Sequence, residues 1–352
     1  MVINMTTFWE NKRVFITGHT GFKGSWLSLW LHSLGAKVFG YSLPPNTTPA
    51  LFEVANIASL LNGHTLADIR DYTSLSNAIA EANPDIVFHL AAQPLVRRSY
   101  VDPIETYSTN VMGTVNLLQA VRQSAHVKAV VNITTDKCYE NKEWVWAYRE
   151  NEPMGGYDPY SSSKGCAELV TASFRNSFYE NAGIGLASAR AGNVIGGGDW
   201  SDDRLIPDFL RAIDAQVTLK IRSPHATRPW QHVLEPLKGY LLLAQALHQE
   251  PQTYASAWNF GPHEQDAKEV AWIVKKLATY MPETQWEIDA NPQPHEANLL
   301  KLDSSKARQY LKWHPAWDLE MALQKIAEWH LAWHTQQDMQ AVCLSQIAAH
   351  QA

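Results

Sequence analysis

A chain of 352 residues is long enough for two domains, or for one domain with a sizeable lobe. Its 45% hydrophobic and 18% charged residues are ordinary for a globular protein, and a net charge of −6 argues against a broad nucleic-acid surface, which needs an excess of Lys and Arg. Cys138, Cys166 and Cys343 are odd in number and lack metal-ligand spacing, no window approaches the roughly 18–20 apolar residues of a membrane span, and no apolar segment of signal-peptide length precedes the first strand; free thiols and a cytoplasmic location are therefore expected.

Arg13 to Thr17 (RVFIT) reads as a strand ending in Gly18-His19-Thr20-Gly21-Phe22-Lys23-Gly24, after which Trp26, Leu27, Trp30, Leu31 and Leu34 recur at helical spacing. Strand, glycine-rich turn and helix is the setting for dinucleotide binding. The glycines permit close backbone approach, and the helix N-terminus offers unpaired N–H groups to a pyrophosphate. A second strand, Lys37 to Tyr41, is expected to end in an acidic residue for the ribose hydroxyls of NAD. Here Gly40-Tyr41-Ser42-Leu43-Pro44-Pro45 contains neither Asp nor Glu, which leaves the Ser42 hydroxyl as a partial substitute. It contains no Arg either, so NAD is preferred, with Lys23 keeping NADP as the alternative.

Thr65 to Ile69 precede Arg70-Asp71 and a helix-like stretch to about Asn83, and Asp85 to Leu90 (DIVFHL) then reads as a buried strand ending in Ala91-Ala92-Gln93-Pro94, whose small residues leave room for a ligand. Tyr107 to Ser124 is a long amphipathic helix with Asn110 near its start. A strand around Lys128 to Thr134, a helix from Tyr160 to about Tyr179 and a strand at Ile184 to Arg190 complete the alternation. The fold class is α/β: a doubly wound parallel sheet, Rossmann-like, with ligands at the carboxyl ends of the strands.

Within this alternation the apolar run ending at Ile133 breaks into Thr134-Thr135-Asp136-Lys137, and the next helix carries Tyr160 and Lys164 four residues apart on one face. A cation beside a phenol lowers its pKa, so the pair is a candidate base. Beyond Arg190 the pattern changes. Residues 1–192 are assigned to the dinucleotide-binding domain, to which the chain returns at about 229–261, and 193–228 with 262–352 to a smaller mixed α/β lobe that includes Trp313, Trp317, Trp329 and Trp333. Arg228, beside Pro229-Trp230, offers a fork for phosphate oxygens, with the tryptophan expected to close the pocket. His330 and His334 are spaced like metal ligands on a helix, but Leu-Ala-Trp lies between them and no third ligand is evident, so no metal site is expected.

With TGHTGFKG, LAAQ, TTDK and YSSSK in sequence order, the chain resembles the extended short-chain dehydrogenase/reductase family. Thr135-Asp136-Lys137 stands where nucleotide-sugar 4,6-dehydratases of that family carry Thr-Asp-Glu or Thr-Asp-Lys. The lysine, together with HTGFKGSWL and GYSLPP, is similar to the branch acting on CDP-glucose. The resemblance implies that Gly18, Thr20, Gly21, Phe22, Lys23 and Gly24 line the pyrophosphate, Ser42 meets the ribose, Asp68 and Ile69 meet the adenine, and Leu90, Ala91, Ala92, Gln93 and Thr109 flank the nicotinamide half. Tyr160 and Lys164 would be base and partner, with Lys164 also holding the nicotinamide ribose. Gln93, Asn193, Arg204, Leu205, Ile206, Pro207, Arg228 and Asn259 would hold the nucleotide sugar. A homodimer built on helices 107–124 and 160–179, and a place in making deoxysugars for surface polysaccharide, are also implied.

The chemistry so implied begins with oxidation at C4, because the C5 proton of a hexose is acidic only when a ketone adjoins it. Tyr160 and Thr135 would handle the C4 hydroxyl, and Lys137 and Asp136 the base and acid steps of eliminating water across C5 and C6. For those roles Lys137 must be neutral and Asp136 protonated. Rival readings are a dehydratase acting on dTDP-glucose or GDP-mannose, a 4-epimerase of the same fold, and a dinucleotide sensor that turns nothing over.

Overall fold

The computed structural model describes residues 5–281, 284–289, 291 and 299–352. Six strands, β1 (Arg13–Thr17), β2 (Lys37–Ser42), β3 (Gly63–Leu66), β4 (Ile86–His89), β5 (Ala129–Ile133) and β6 (Gly185–Arg190), join Ala257–Asn259 in one sheet. The sheet is parallel throughout, and its order is Ala257–Asn259, β6, β5, β4, β1, β2, β3. Chain order reverses between β1 and β4, so the crevice beyond their carboxyl ends is where such sheets take a ligand. β4, β5 and β6 are buried at every position, as strands covered on both faces must be. On one face Trp26, Trp30, Leu237 and Leu241 form the core; on the other, Leu75, Ile79, Leu117 and Val121 do.

The helix Pro159–Phe174 has a firm start. Asp158 accepts from the Ser161 backbone N–H (2.9 Å) and hydroxyl (2.6 Å), and Pro159 occupies the first turn, where its missing N–H costs nothing. Behind it lies a buried ion pair, Glu168 to Arg190 at 2.7 Å, that also takes the hydroxyls of Thr134 and Ser188. One carboxylate therefore ties this helix to β5 and β6.

A smaller core, with Phe209, Leu219, Ile221, Trp230, Ile273, Leu277 and Leu323, underlies the lobe beyond β6. The C-terminal part of the chain departs from expectation. Trp313 and Trp329 are buried in the main core, Trp317 and Trp333 pack against it, and Met339–Gln351 lies along Phe22–Ser33. Trp313 donates to the Glu235 carbonyl at 2.9 Å, and Glu235 in turn accepts from His350 at 2.9 Å. These aromatics cover the sheet domain because the apolar face of Phe22–Ser33 needs a partner. Of the expected lobe, residues 282, 283, 290 and 292–298 lie outside the described residues. β3 pairs with Phe39–Ser42 and ends at Leu66.

Glu168→Gln keeps an acceptor oxygen for only one of the Thr134 and Ser188 hydroxyls and leaves the Arg190 guanidinium buried without a counter-charge. The expected loss is about 3–5 kcal/mol in urea unfolding; a loss below about 1 kcal/mol would show that the pair does not hold these elements together.

Candidate active site

The turn after β1 and the strand end after β4 meet within van der Waals contact. Gly18, at φ +77°, would place a Cβ 2.7 Å from the Ala91 nitrogen, and a Cβ on Gly24 would stand 2.1 Å from the Gly18 carbonyl oxygen. Only hydrogen fits at either position. Gly21 caps Phe22–Ser33 without any side chain, so the N–H groups of that helix face the crevice without a side-chain cap. This cradle suits a dinucleotide pyrophosphate. Thr20 hydrogen-bonds Ser42 (2.9 Å) and the Leu43 carbonyl (2.8 Å), which holds the end of β2 against the turn. Gly40 leaves room for the His19 ring, which lies close over β2.

Asp68 is clamped by Arg70 (2.6 Å), and Ile69 is buried, as is Ile206 in the lobe. Leu90, Ala91, Ala92 and Thr109 are partly exposed along the crevice. Gln93 differs from expectation. Its oxygen accepts from the Leu95 N–H (2.6 Å), and its nitrogen donates to Thr106 (2.9 Å) and the Leu95 carbonyl (3.1 Å), so the side chain is engaged in its own loop. Asn259 is a second correction. It is fully buried, donates to the Tyr148 and Asp303 carbonyls and accepts from the Tyr139 hydroxyl, which leaves it no surface for a ligand. Trp230 is a third: its ring belongs to the lobe core and its indole N–H goes to the Lys268 carbonyl (3.0 Å), so it does not close a pocket.

Thr135, Asp136, Tyr160 and Lys164 come together in the interior. Thr135 donates to the Asp136 carboxylate at 3.0 Å, accepts from the Lys137 backbone N–H, and stands near enough to Tyr160 to ease its ionisation. Asp136 is only 2% exposed and lies against Gly192, where an added Cβ would overlap its carboxylate. The acid thus faces inward, not toward bulk water. Lys137 is half-buried in the next position. The expected lowering of the tyrosine is not what the structure shows. Burial pushes Tyr160 up to about 12, and the Thr135 hydrogen bond and the Arg204 charge only partly offset it. Lys164 donates to the Ile133 carbonyl (3.3 Å), and burial lowers it to about 8 although Glu168 pulls it upward.

Arg204 pairs with Asp199 (3.1 Å) just before the helix Leu205–Asp214. Asn193 holds a positive φ of 45° at the mouth of the lobe, and Arg228 is buried on a strand paired with Ala267–Glu269. Lys23 is the surprise. Burial lowers its ammonium to about 7, helped by Arg204 and Lys164 and opposed by Asp136 and Asp199. Its tip therefore keeps company with the Tyr160 cluster and the lobe arginine, which removes the reason for expecting NADP from it. Asn110 was noted only as a helix position; it accepts from the Gln93 N–H (2.8 Å) and donates to Ser163 (2.9 Å), joining the β4 loop to the Tyr160 helix. Asp199 was not singled out, and no local motif marks it.

Such a fold and site define an extended short-chain dehydrogenase/reductase. The family model described as GDP-mannose 4,6 dehydratase matches residues 15–326, and the chain belongs to that family of nucleotide-sugar dehydratases. It is 60% identical over 327 residues, 91% of each chain, to CDP-glucose 4,6-dehydratase of Salmonella typhimurium. It is 26% identical to human dTDP-D-glucose 4,6-dehydratase, covering 90% of this chain and 89% of that one. Among solved structures, UDP-glucuronic acid 4-epimerase from Bacillus cereus, in complex with UDP-glucuronic acid and NAD, superposes with a TM-score of 0.78 at 22% identity over 91% of this chain and 99% of its own.

Lys23 should be half-deprotonated near pH 7, neutral above and charged below. Competitive acylation followed by peptide mass spectrometry is expected to show its labelling rise with a midpoint about 3 units below that of surface lysines; a midpoint near 10 would contradict its placement among the cations.

Proposed function

We propose that the protein converts CDP-glucose to CDP-4-keto-6-deoxyglucose and water. The observation that carries this reading is the inward-facing Asp136, hydrogen-bonded to Thr135 beside Tyr160, on a chain 60% identical to a dehydratase of CDP-glucose. Hydride acceptance from C4 and hydride return to C6 are the chemistry that NAD would supply when bound, with no net change in its redox state. Gly18, Gly21 and Gly24 would admit its pyrophosphate to the N-terminus of Phe22–Ser33.

Tyr160 receives the proton of the C4 hydroxyl and Thr135 holds the same oxygen. The Thr135 hydrogen bond and the Arg204 charge offset part of the burial that holds Tyr160 high. Once C4 is a ketone, Lys137 takes the C5 proton and Asp136 protonates the departing C6 hydroxyl; Lys137 then gives its proton back to C5 as hydride adds at C6. Lys23, Arg204 and Arg228, with Asn193, Leu205, Ile206 and Pro207 shaping the pocket, meet the diphosphate of the sugar nucleotide, an ester that needs more cations than the glycine turn supplies. Such a product suits deoxysugar synthesis for a surface polysaccharide in the cytoplasm.

The assembly proposed is a homodimer. Val101 and Ile104 are each 81% exposed and Leu169 61%, with Tyr100, Tyr107 and Met112 also uncovered on the packed helices 96–122 and Pro159–Phe174. An apolar face of that extent calls for a partner, and a second copy presents the same face.

Purified protein with CDP-glucose is expected to give a keto sugar absorbing in alkali, and much less from the dTDP, UDP and GDP sugars. Product from none of them would end the dehydratase reading, and a C4 epimer would replace it with epimerase chemistry. Lys137→Ala is expected to retain C4 oxidation and lose elimination by roughly 10²–10⁴-fold; normal turnover would remove Lys137 from the reaction. Leu169→Glu should shift the sedimentation coefficient from dimer to monomer, and a wild-type monomer would refute the assembly.

A further inference from the structure

Outside the Tyr160 cluster, three side chains from two helices converge. Nε2 of His330 lies 2.8 Å and Nε2 of His334 2.7 Å from the same Oδ1 of Asp214, and the two imidazole nitrogens are 3.1 Å apart. No other group of three or more histidine, cysteine or acidic side chains with so close a set of ligand atoms is found among the described residues. The third ligand, missing from the sequence around the histidines, arrives from 116 residues upstream.

Hydrogen bonding alone accounts poorly for the third edge of this triangle. If both Nε2–H groups donate to Asp214, two donors face each other at 3.1 Å with nothing between them to accept. A cation resolves the conflict. The corners of such a triangle lie about 1.7 Å from its centre, so an ion roughly 1.2 Å above its plane is about 2.05 Å from all three, the usual distance for imidazole nitrogen and carboxylate oxygen. The ligand–metal–ligand angles come out at about 80–100°, a facial arrangement that octahedral Ni²⁺ favours and that d¹⁰ Zn²⁺, without a ligand-field preference, accepts, with further positions open to water.

The location adds a second attraction. Asp214 is the last residue of Leu205–Asp214 and His334 the last of Leu319–His334, so two helix C-termini, each with its partial negative charge, meet at the carboxylate. An aspartate is unfavourable at a helix C-terminus, and a bound cation reverses that. His330 is 4% exposed at its side chain with Trp333 beside it, while His334 is 46% exposed, which gives the site a fixed wall and an entry path.

We infer that Asp214, His330 and His334 form a binding site for one divalent first-row transition-metal ion, Zn²⁺ or Ni²⁺, which ties the C-terminal ends of the two helices. The test uses tag-free protein stripped with EDTA and titrated with Zn²⁺ or Ni²⁺ by calorimetry, with Mg²⁺ as control. One equivalent should bind, with a rise of a few degrees in Tm, and Mg²⁺ should do neither, since imidazole disfavours it. His334→Ala alters an exposed side chain and is expected to fold with the Tm of the metal-free parent while weakening binding by more than about 100-fold, beyond the loss of an outer-shell partner. Asp214→Asn should do the same. A Co²⁺-loaded parent should show visible absorption that the His334→Ala protein lacks. No stoichiometric binding, or binding unchanged in both variants, overturns the site.

Discussion

The buried pairing of Glu168 with Arg190 is the constraint on which the active cluster depends. Burial alone would raise the Glu168 carboxyl, but the Arg190 charge and the hydrogen bonds from Ser188 and Thr134 hold it below the usual range. The same guanidinium donates to the Tyr139 hydroxyl (2.7 Å) and the Glu150 carbonyl (3.0 Å), and Tyr139 donates to Asn259 (2.7 Å). A network this enclosed works only if nearly every member is satisfied, because in a low dielectric each missing partner is costly. Its effect is to fix Thr134, and the three residues after Thr134 are those proposed to do the chemistry.

What the network fixes is a crowd of charge. Arg204 and Lys164 stand close enough to disfavour protonation of the buried Lys23, with Asp136 and Asp199 as the opposing carboxylates. Such crowding is a cost to the empty fold and an asset toward a doubly charged diphosphate. It also places Lys23 differently from its neighbours in the glycine turn. The turn's backbone packs against the end of β4, while its one lysine side chain lies within the influence of Arg204, Lys164, Asp136 and Asp199.

The sheet was legible because it rests on local pattern: short apolar runs separated by glycine turns and helical periodicity. The motifs at Gly18–Gly24, Thr135–Lys137 and Tyr160–Lys164 were legible because chemistry fixes their spacing. Side chains whose partners lie far along the chain were not. Asn259 and Gln93 look like ligand contacts from position alone, yet their amides are taken by Tyr148, Asp303, Leu95 and Thr106. Sequence proximity puts tryptophans 313–333 in the lobe, whereas in the structure they join the main core that buries the apolar face of Phe22–Ser33. Tyr160 was expected to be acidified by Lys164, but the depth of burial, which no sequence spacing reveals, outweighs a neighbour four residues away.

If the residues gathered around Tyr160 carry out an internal dehydration, the hydrogen taken from C4 must reappear on C6 of the same sugar. CDP-glucose bearing deuterium at C4, turned over in ordinary water and examined by NMR, decides this. Deuterium in the C6 methyl group of the product is the expected result. A product whose methyl group carries only solvent hydrogen would contradict a cluster that oxidises, eliminates and reduces without releasing its cofactor.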